Sequence, residues 1–547
     1  ICLINQHYKP SPSSMEVLKK VNHPNFTTEL ALFNLEANLD PVAFQGNCFS
    51  QMRNQLDELL AILAAATKNM DLDFILTGIL PTIRKFDIEL ENLTPLDRYY
   101  ALIEAINRLR GDSYELKIAG LDELNIKQDS ALIEACNTSF QVHLQVRPSE
   151  FVSKYNTALI IAAPVLAVAS NAPLLFGKRL WNETRIALFQ QSVDTRITGE
   201  HLRYTSPRVT FGNGWLNDSI MELYKEDIVR FKVLLTSDLQ EDVMECLAMQ
   251  KTPSLEALKI HNSTVYRWNR PCYGVSPNGR PHLRIENRIL PAGPTVVDEI
   301  ANSAFWIGLM NGFEDAHPNV TGFMDFDDTK SNFIRSARVG LSGKFVWEGG
   351  KVINEQDLIH KELIPIAREG LKKAAVSDED IDQYLGIIGD RVSSGKNGSY
   401  WILSSYSKLG KQINREEAIN ALVGSMLENQ KKGNPVHEWQ LAEAHFAQEW
   451  DPYSILVEEF MTTDLFTVHK DEIPELSAEM MDWQNIRYIP IENDQGELIG
   501  LLTARHLLRY FSGLYKNNFP NNKSIEELMI KNPISVSTSA TVIEAMD

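Results

Sequence analysis

Three short segments alternate apolar and polar residues with a period of two, and they constrain this chain's fold more than anything else in it. In His282-Leu-Arg-Ile-Glu-Asn-Arg288, the side chains of His282, Arg284, Glu286 and Arg288 fall on one side and Leu283 and Ile285 on the other. That spacing predicts a β-strand with one dry and one ionisable face. Ser139–Arg147 repeats it: Gln141, His143, Gln145 and Arg147 lie opposite Phe140, Val142, Leu144 and Val146. Leu32–Asn38 does so again, with Asn34, Glu36 and Asn38 aligned. An antiparallel sheet with one solvated face shows such alternation without any ligand. A row of Arg, Glu and His lining a cleft instead calls for opposite charge, such as a metal–phosphate ligand.

At 547 residues the chain is long enough for more than one domain. Its net charge of -19 argues against a nucleic-acid-binding surface. Local arginines and Mg²⁺ can still create an ATP site in an acidic protein. The five cysteines are dispersed and form no C-x-x-C pair, which disfavours a disulfide framework or zinc site and fits a reducing cytoplasm. The most apolar run, Ala158–Ala169, is too short for a bilayer and is interrupted by Pro164, so it reads as a buried core helix and not a membrane span. No signal peptide is visible. The chain begins at Ile1 and ends at Asp547 inside an apparent helix, as a fragment cut at both ends would.

Helical patterns cover Phe49–Met70, a segment capped by Thr94 with Pro95 at the first turn, Val152–Ala169, Ile186–Gln191, Ile220–Leu234, Thr295–Gly312, Glu355–Lys373 and Arg415–Gln430. They are interspersed with strands, without a regular βαβ rhythm, a Walker A loop or a dinucleotide fingerprint, and so predict an α+β fold. Composition shifts at Lys431-Lys-Gly-Asn-Pro435. Residues 432–451 then read as a helical linker, and 452–547 as a small βαββα unit whose second copy is truncated.

That last segment resembles a CBS-domain pair. The resemblance is carried by Met461-Thr-x-Asp464, Tyr488-Ile-Pro-Ile491, Gly496-x-Leu-Ile-Gly500, Leu502-Thr503, Leu528-Met529 and Pro533. It implies a regulatory, oligomer-forming module with an adenine nucleotide between the repeats and Thr503 as a contact. The family often has an Asp three residues after that Thr, where this chain has His506.

Residues 1–431 resemble the bacterial type-2 glutamate–cysteine ligase family, within the glutamine-synthetase-like carboxylate–amine ligases. The motifs are Glu29-Leu followed by Glu36-x-Asn38, Thr94-Pro-x-x-Arg98-Tyr99, His143, Pro164 with Ala169-Ser-Asn-Ala-Pro173, Phe176-Gly177, Arg185, Arg284-Ile-Glu286-Asn-Arg288, Asn332 and Ala337-Arg338-Val-Gly-Leu341. The resemblance implies an antiparallel sheet with flanking helices that cradles ATP, Mg²⁺ and glutamate. It implies ligation of the glutamate γ-carboxylate to cysteine or another amine through an acyl phosphate, as in glutathione biosynthesis. Glu29, Glu36, His143 and Glu286 are the expected metal contacts. Arg288 is the expected phosphoryl clamp, Arg185 and Arg338 phosphate or substrate contacts, and Arg284 a nucleotide contact. The chain departs from the family in one respect. The family's opening strand carries an E-x-E pair, and none occurs near Ile1. Ile1–Ile4 matches the continuation of that strand, which places the pair upstream and implies weak metal binding in this chain as it stands. Two rival readings are a non-catalytic nucleotide sensor and a phosphotransferase on the related guanidino-kinase scaffold.

Overall fold

The computed structural model describes residues 1–111, 114–128, 130–196, 207–236, 241–447, 456–457, 461, 465–517, 523–538 and 540–546. The chain forms two units, Ile1–Trp450 and Asp451–Asp547.

In the first unit, the elements that build the site begin with β1 (Cys2–Asn5) and a hairpin of β2 (Phe26–Thr28) and β3 (Leu35–Ala37). Helix α1 (Cys48–Lys68) buries Leu56, Leu59 and Leu63 on one stripe and leads into β4 (Leu72–Ile75), which pairs antiparallel with β1. After α2 (Asp97–Arg110) come β5 (Val142–Val146), α3 (Phe151–Ala169) and α4 (Arg185–Ser192). Strands β6 (Asn269–Val275) and β7 (Pro281–Asn287) complete an antiparallel sheet in the order β6-β7-β5. Helices α5 (Val296–Ala316), α6 (Phe326–Val339), α7 (Ile364–Lys373) and α8 (Arg415–Lys432) pack around them. The fold is α+β.

Helix α3 is apolar on every side, and every residue of it except Val152 and Ser153 is buried. It is long and apolar enough to cross a membrane, but 89% of that stretch lies inside the unit. It packs against α5 and α6 and carries the dry face of the sheet. The Tyr155 hydroxyl donates to the Asn269 carbonyl at 3.2 Å, and the Asn269 amide donates to the Ala158 carbonyl at 3.1 Å. Helices α5 and α7 approach so closely at Gly312 that an added Cβ would collide with the Ile366 carbonyl.

Three local expectations are corrected. Thr94 does not cap a helix. Leu96 is the cap, while the Thr94 hydroxyl donates to the Glu29 carbonyl at 2.6 Å, a tertiary bond that outcompetes the local one. The alternating stretch Leu32–Asn38 is strand only at Leu35–Ala37; Asn34 is buried and donates to the Ala135 carbonyl at 2.7 Å. The linker is not a helix over its described part: Val436–Glu438 and Ala444–Phe446 are short 3₁₀ turns. Neighbouring side chains take the backbone groups a helix would use internally. Val436 N–H donates to Asp298 at 3.0 Å, Ala442 N–H to Ser405 Oγ at 3.0 Å, and the Trp401 indole N–H to the Gln440 carbonyl at 2.7 Å. Residues 448–451 of that linker and 462–464 of the Met461 motif lie outside the described residues.

The second unit has a four-stranded sheet, β8 (Val468–His469), β9 (Tyr488–Glu492), β10 (Leu498–Thr503) and β11 (Ile530–Lys531), in chain order. The first pair is parallel and the others are antiparallel. Helices Pro474–Trp483 and Ala504–Asn517 complete one βαββα repeat around Val468, Met481, Ile489, Ile491, Leu502 and Leu507.

Candidate active site

Register places the ionisable face. Glu286 on β7 lies between His143 on β5 and Arg270 on β6, and Arg284 lies between Gln145 and Cys272. Directly paired residues project to the same side of a sheet, so these six side chains share one face. Ile285 points the other way into the core. Glu286 is the hub. Arg288 Nη1 donates to it at 2.6 Å, Arg270 Nη1 approaches to 3.6 Å, and Cys272 Sγ sits 3.3 Å from its other oxygen. Burial alone would raise the Glu286 pKa, but Arg270, Arg288 and His143 overcome that and hold it at about 2. The crowded strand face and the three arginines in turn hold His143 below its usual pKa, against the pull of Glu286.

Two guanidiniums, those of Arg270 and Arg288, therefore meet one carboxylate, and Arg284 shares their face. The Nε atoms of Arg270, Arg284 and Arg288 are all buried without a hydrogen-bond partner. Unpaired buried donors on cations are costly, and an anion is the kind of group that satisfies them.

Three further carboxylates gather at a separate hairpin and a neighbouring turn. Glu36 is on β3 opposite Thr27, Glu29 is one residue past β2, and Glu134 is on the 3₁₀ turn Ala131–Cys136. Asn34 ties that turn to the hairpin through the Ala135 carbonyl. Burial, then Glu36 and Glu134, push the Glu29 pKa to about 8, and Glu29 and Glu36 share a hydrogen bond. Burial pushes Glu134 to about 7, with Arg288 opposing. Carboxylates that retain protons near neutrality are short of positive charge, and hard oxygen donors of this kind suit Mg²⁺. Around Glu286 the donors are instead one imidazole and one thiol, with ligand atoms within 4.8 Å of one another.

The other expected site residues lie elsewhere. Arg185 is 2% exposed and locked in an ion pair with Glu183 at 2.6 Å, while its Nη2 donates to the Ile289 carbonyl at 2.6 Å. Glu183 also accepts from the Asn171 backbone. This knot braces the exit of β7 and leaves Arg185 no open face for a substrate. Arg338 is exposed, with its guanidinium 4.8 Å over the Trp181 ring, and contacts none of the strand cluster among the described residues. Thr503 is in the second unit. Its hydroxyl accepts the His506 N–H at 3.3 Å and pairs with His506 Nδ1 at 3.0 Å, so it caps the following helix.

The sequence reasoning missed four residues. Arg270 and Cys272 follow the same period-two rule along β6 and were legible there. Glu134 lies in an apolar run, and Tyr266 precedes the sheet, its ring 5.9 Å beneath the Arg270 guanidinium. Neither has a local signal.

A CBS-domain model matches residues 457–513. The uncharacterized protein YlbB of Bacillus subtilis (strain 168) is 32% identical over 92 residues, which is 16% of this chain, and the chain spans only 60% of that relative's length. The crystal structure of CBSX2 in complex with AMP shares 22% identity, with a TM-score of 0.15, over 17% of this chain and 70% of that one. The Pup ligase PafA in complex with ADP shares 8% identity, with a TM-score of 0.31, over 70% of this chain and 63% of that one. Both TM-scores are too low to carry weight. The model of glutamate-cysteine ligase family 2, in contrast, matches residues 4–425, which include the whole strand face and the three further carboxylates. The chain belongs to glutamate-cysteine ligase family 2, and a CBS domain follows the region that the family model matches.

Proposed function

We propose that this chain uses ATP to join the γ-carboxylate of glutamate to an amine, cysteine or a similar amino acid, through an acyl phosphate. The observation that carries this reading is the set of three guanidiniums on one strand face whose buried Nε atoms have no hydrogen-bond partner. Arg270, Arg284 and Arg288 receive the transferring phosphoryl group, whose charge must be neutralised in place. Glu286 fixes the spacing of Arg270 and Arg288. Glu29 and Glu36 would hold Mg²⁺, which supplies charge neutralisation at the phosphates. We infer that Glu286 and His143 leave the metal to them, because three adjacent cations and a thiol disfavour a hard dication there. For the CBS module we infer a regulatory role with an adenine nucleotide as effector. Its ribose would have to displace His506 from Thr503 to use that hydroxyl.

The test is phosphate release by the full-length protein with Mg-ATP and glutamate across a panel of amino acids and amines. Turnover that requires both glutamate and an amine supports the ligase. Release that ignores glutamate refutes it, and no release at all favours a nucleotide sensor.

A further inference from the structure

Away from the strand face, the start of the linker packs against the helix Gly398–Leu409 and leaves a cavity of about 180 Å³. A cavity of about 150 Å³ is enough to bind benzene, so this one has room for a single ring or a branched apolar group. Trp401, Trp439, Val436 and Leu441 form its apolar lining, and the first three are buried. The two indoles meet edge to face at 5.0 Å. Both of their N–H groups are spent on backbone carbonyls, Trp401 on Gln440 at 2.7 Å and Trp439 on Asn434 at 2.8 Å. What they offer the cavity is therefore ring carbon.

Two exposed charged side chains, Lys396 and Glu438, also line it. Neither has an ion-pair partner among the described residues, and they do not pair with each other. Opposite charges that border one aromatic cavity without neutralising each other match a ligand that carries both charges. We propose that this cavity binds a free amino acid with an aromatic or branched apolar side chain. The side chain fills the cavity against the indoles, the carboxylate meets Lys396 and the ammonium meets Glu438. The lining is split between two parts of the chain. Lys396 and Trp401 come from the lead-in and first turns of the helix, while Val436, Glu438, Trp439 and Leu441 belong to the linker that precedes the second unit. A bound amino acid therefore ties the linker to the helix. The site shares no residue with the arginine face and does not depend on the ligase reading.

The probe is L-phenylalanine, titrated calorimetrically into the full-length protein, with a Kd of about 1 mM or tighter expected for a ligand of this size. Lys396→Met and Glu438→Gln, both surface changes, should each weaken binding about tenfold, the low end for a hydrogen bond to a charged group. L-Phenylalaninamide lacks the carboxylate, so it should bind Lys396→Met at least as well as the unaltered protein. 3-Phenylpropionate lacks the ammonium and should bind Glu438→Gln at least as well. Bound L-phenylalanine should also slow amide hydrogen exchange across Val436–Leu441. Saturable binding that both variants leave unchanged overturns the site, because the amino acid then sits elsewhere. So does binding that leaves exchange across Val436–Leu441 unaltered, or no binding of L-phenylalanine or L-leucine at about 10 mM.

Discussion

Replacing Glu286 with Gln keeps its shape and removes the charge that separates Arg270 from Arg288. Its pKa falls from the ordinary 4.5 to about 2 in the fold. Each pKa unit is worth ~1.4 kcal/mol, so the ionised carboxylate contributes about 3 kcal/mol to stability. Because the folded pKa is depressed, that contribution is fully present above pH 4.5 and is lost as pH falls through about 2. For a unit of 450 residues, a deficit of about 3 kcal/mol lowers Tm by about 3 °C. Urea unfolding followed by tryptophan emission reads it directly, since Trp268 is buried just before β6. The variant should be about 3 kcal/mol less stable at pH 7, and the gap should shrink to ~1.4 kcal/mol at pH 3. Inorganic phosphate should recover part of the deficit by supplying the missing anion. Equal stability at pH 7, or a gap that widens with acid, would refute the reasoning.

Two further outcomes follow from the same electrostatics. The Glu29 pKa is raised to about 8, so the metal-free protein gains stability at low pH and loses it as pH rises from 4.5 through about 8. Thermal melts in chelator should fall across that range, and Mg²⁺ should reverse the fall in the unaltered protein but not in Glu29→Gln. Away from the site, Arg391 pairs with Asp298 at 2.7 Å in the core, and Asp298 also receives the linker through the Val436 N–H. Arg391→Met leaves that carboxylate buried and unpaired and should cost about 3–5 kcal/mol in denaturant unfolding. A loss under about 1 kcal/mol would show the pair to be dispensable.

The parts of the fold that were legible are those where one local period determines one structure. The alternation of His282–Arg288 and Ser139–Arg147 marked β7 and β5, and the all-apolar run through Ala169 marked α3. The linker and the Thr94 segment were misread for a shared reason. Their backbone or hydroxyl groups bond to residues far away in sequence, Asp298 and Glu29 among them, and no local window contains the partner. Arg185 was misplaced in the same way. A motif arginine looks alike whether it meets a substrate or, as here, Glu183 and the Ile289 carbonyl.

The sequence by itself determined which side chains share a strand face, because the backbone pleat sends alternate residues to opposite sides whatever surrounds them. It could not determine what that face meets. Only the tertiary structure set Arg270 beside Glu286 across two strands and brought Glu29, Glu36 and Glu134 together. Charge interactions act through space and not along the chain, so the pKa of each carboxylate is decided by residues that its own segment does not contain.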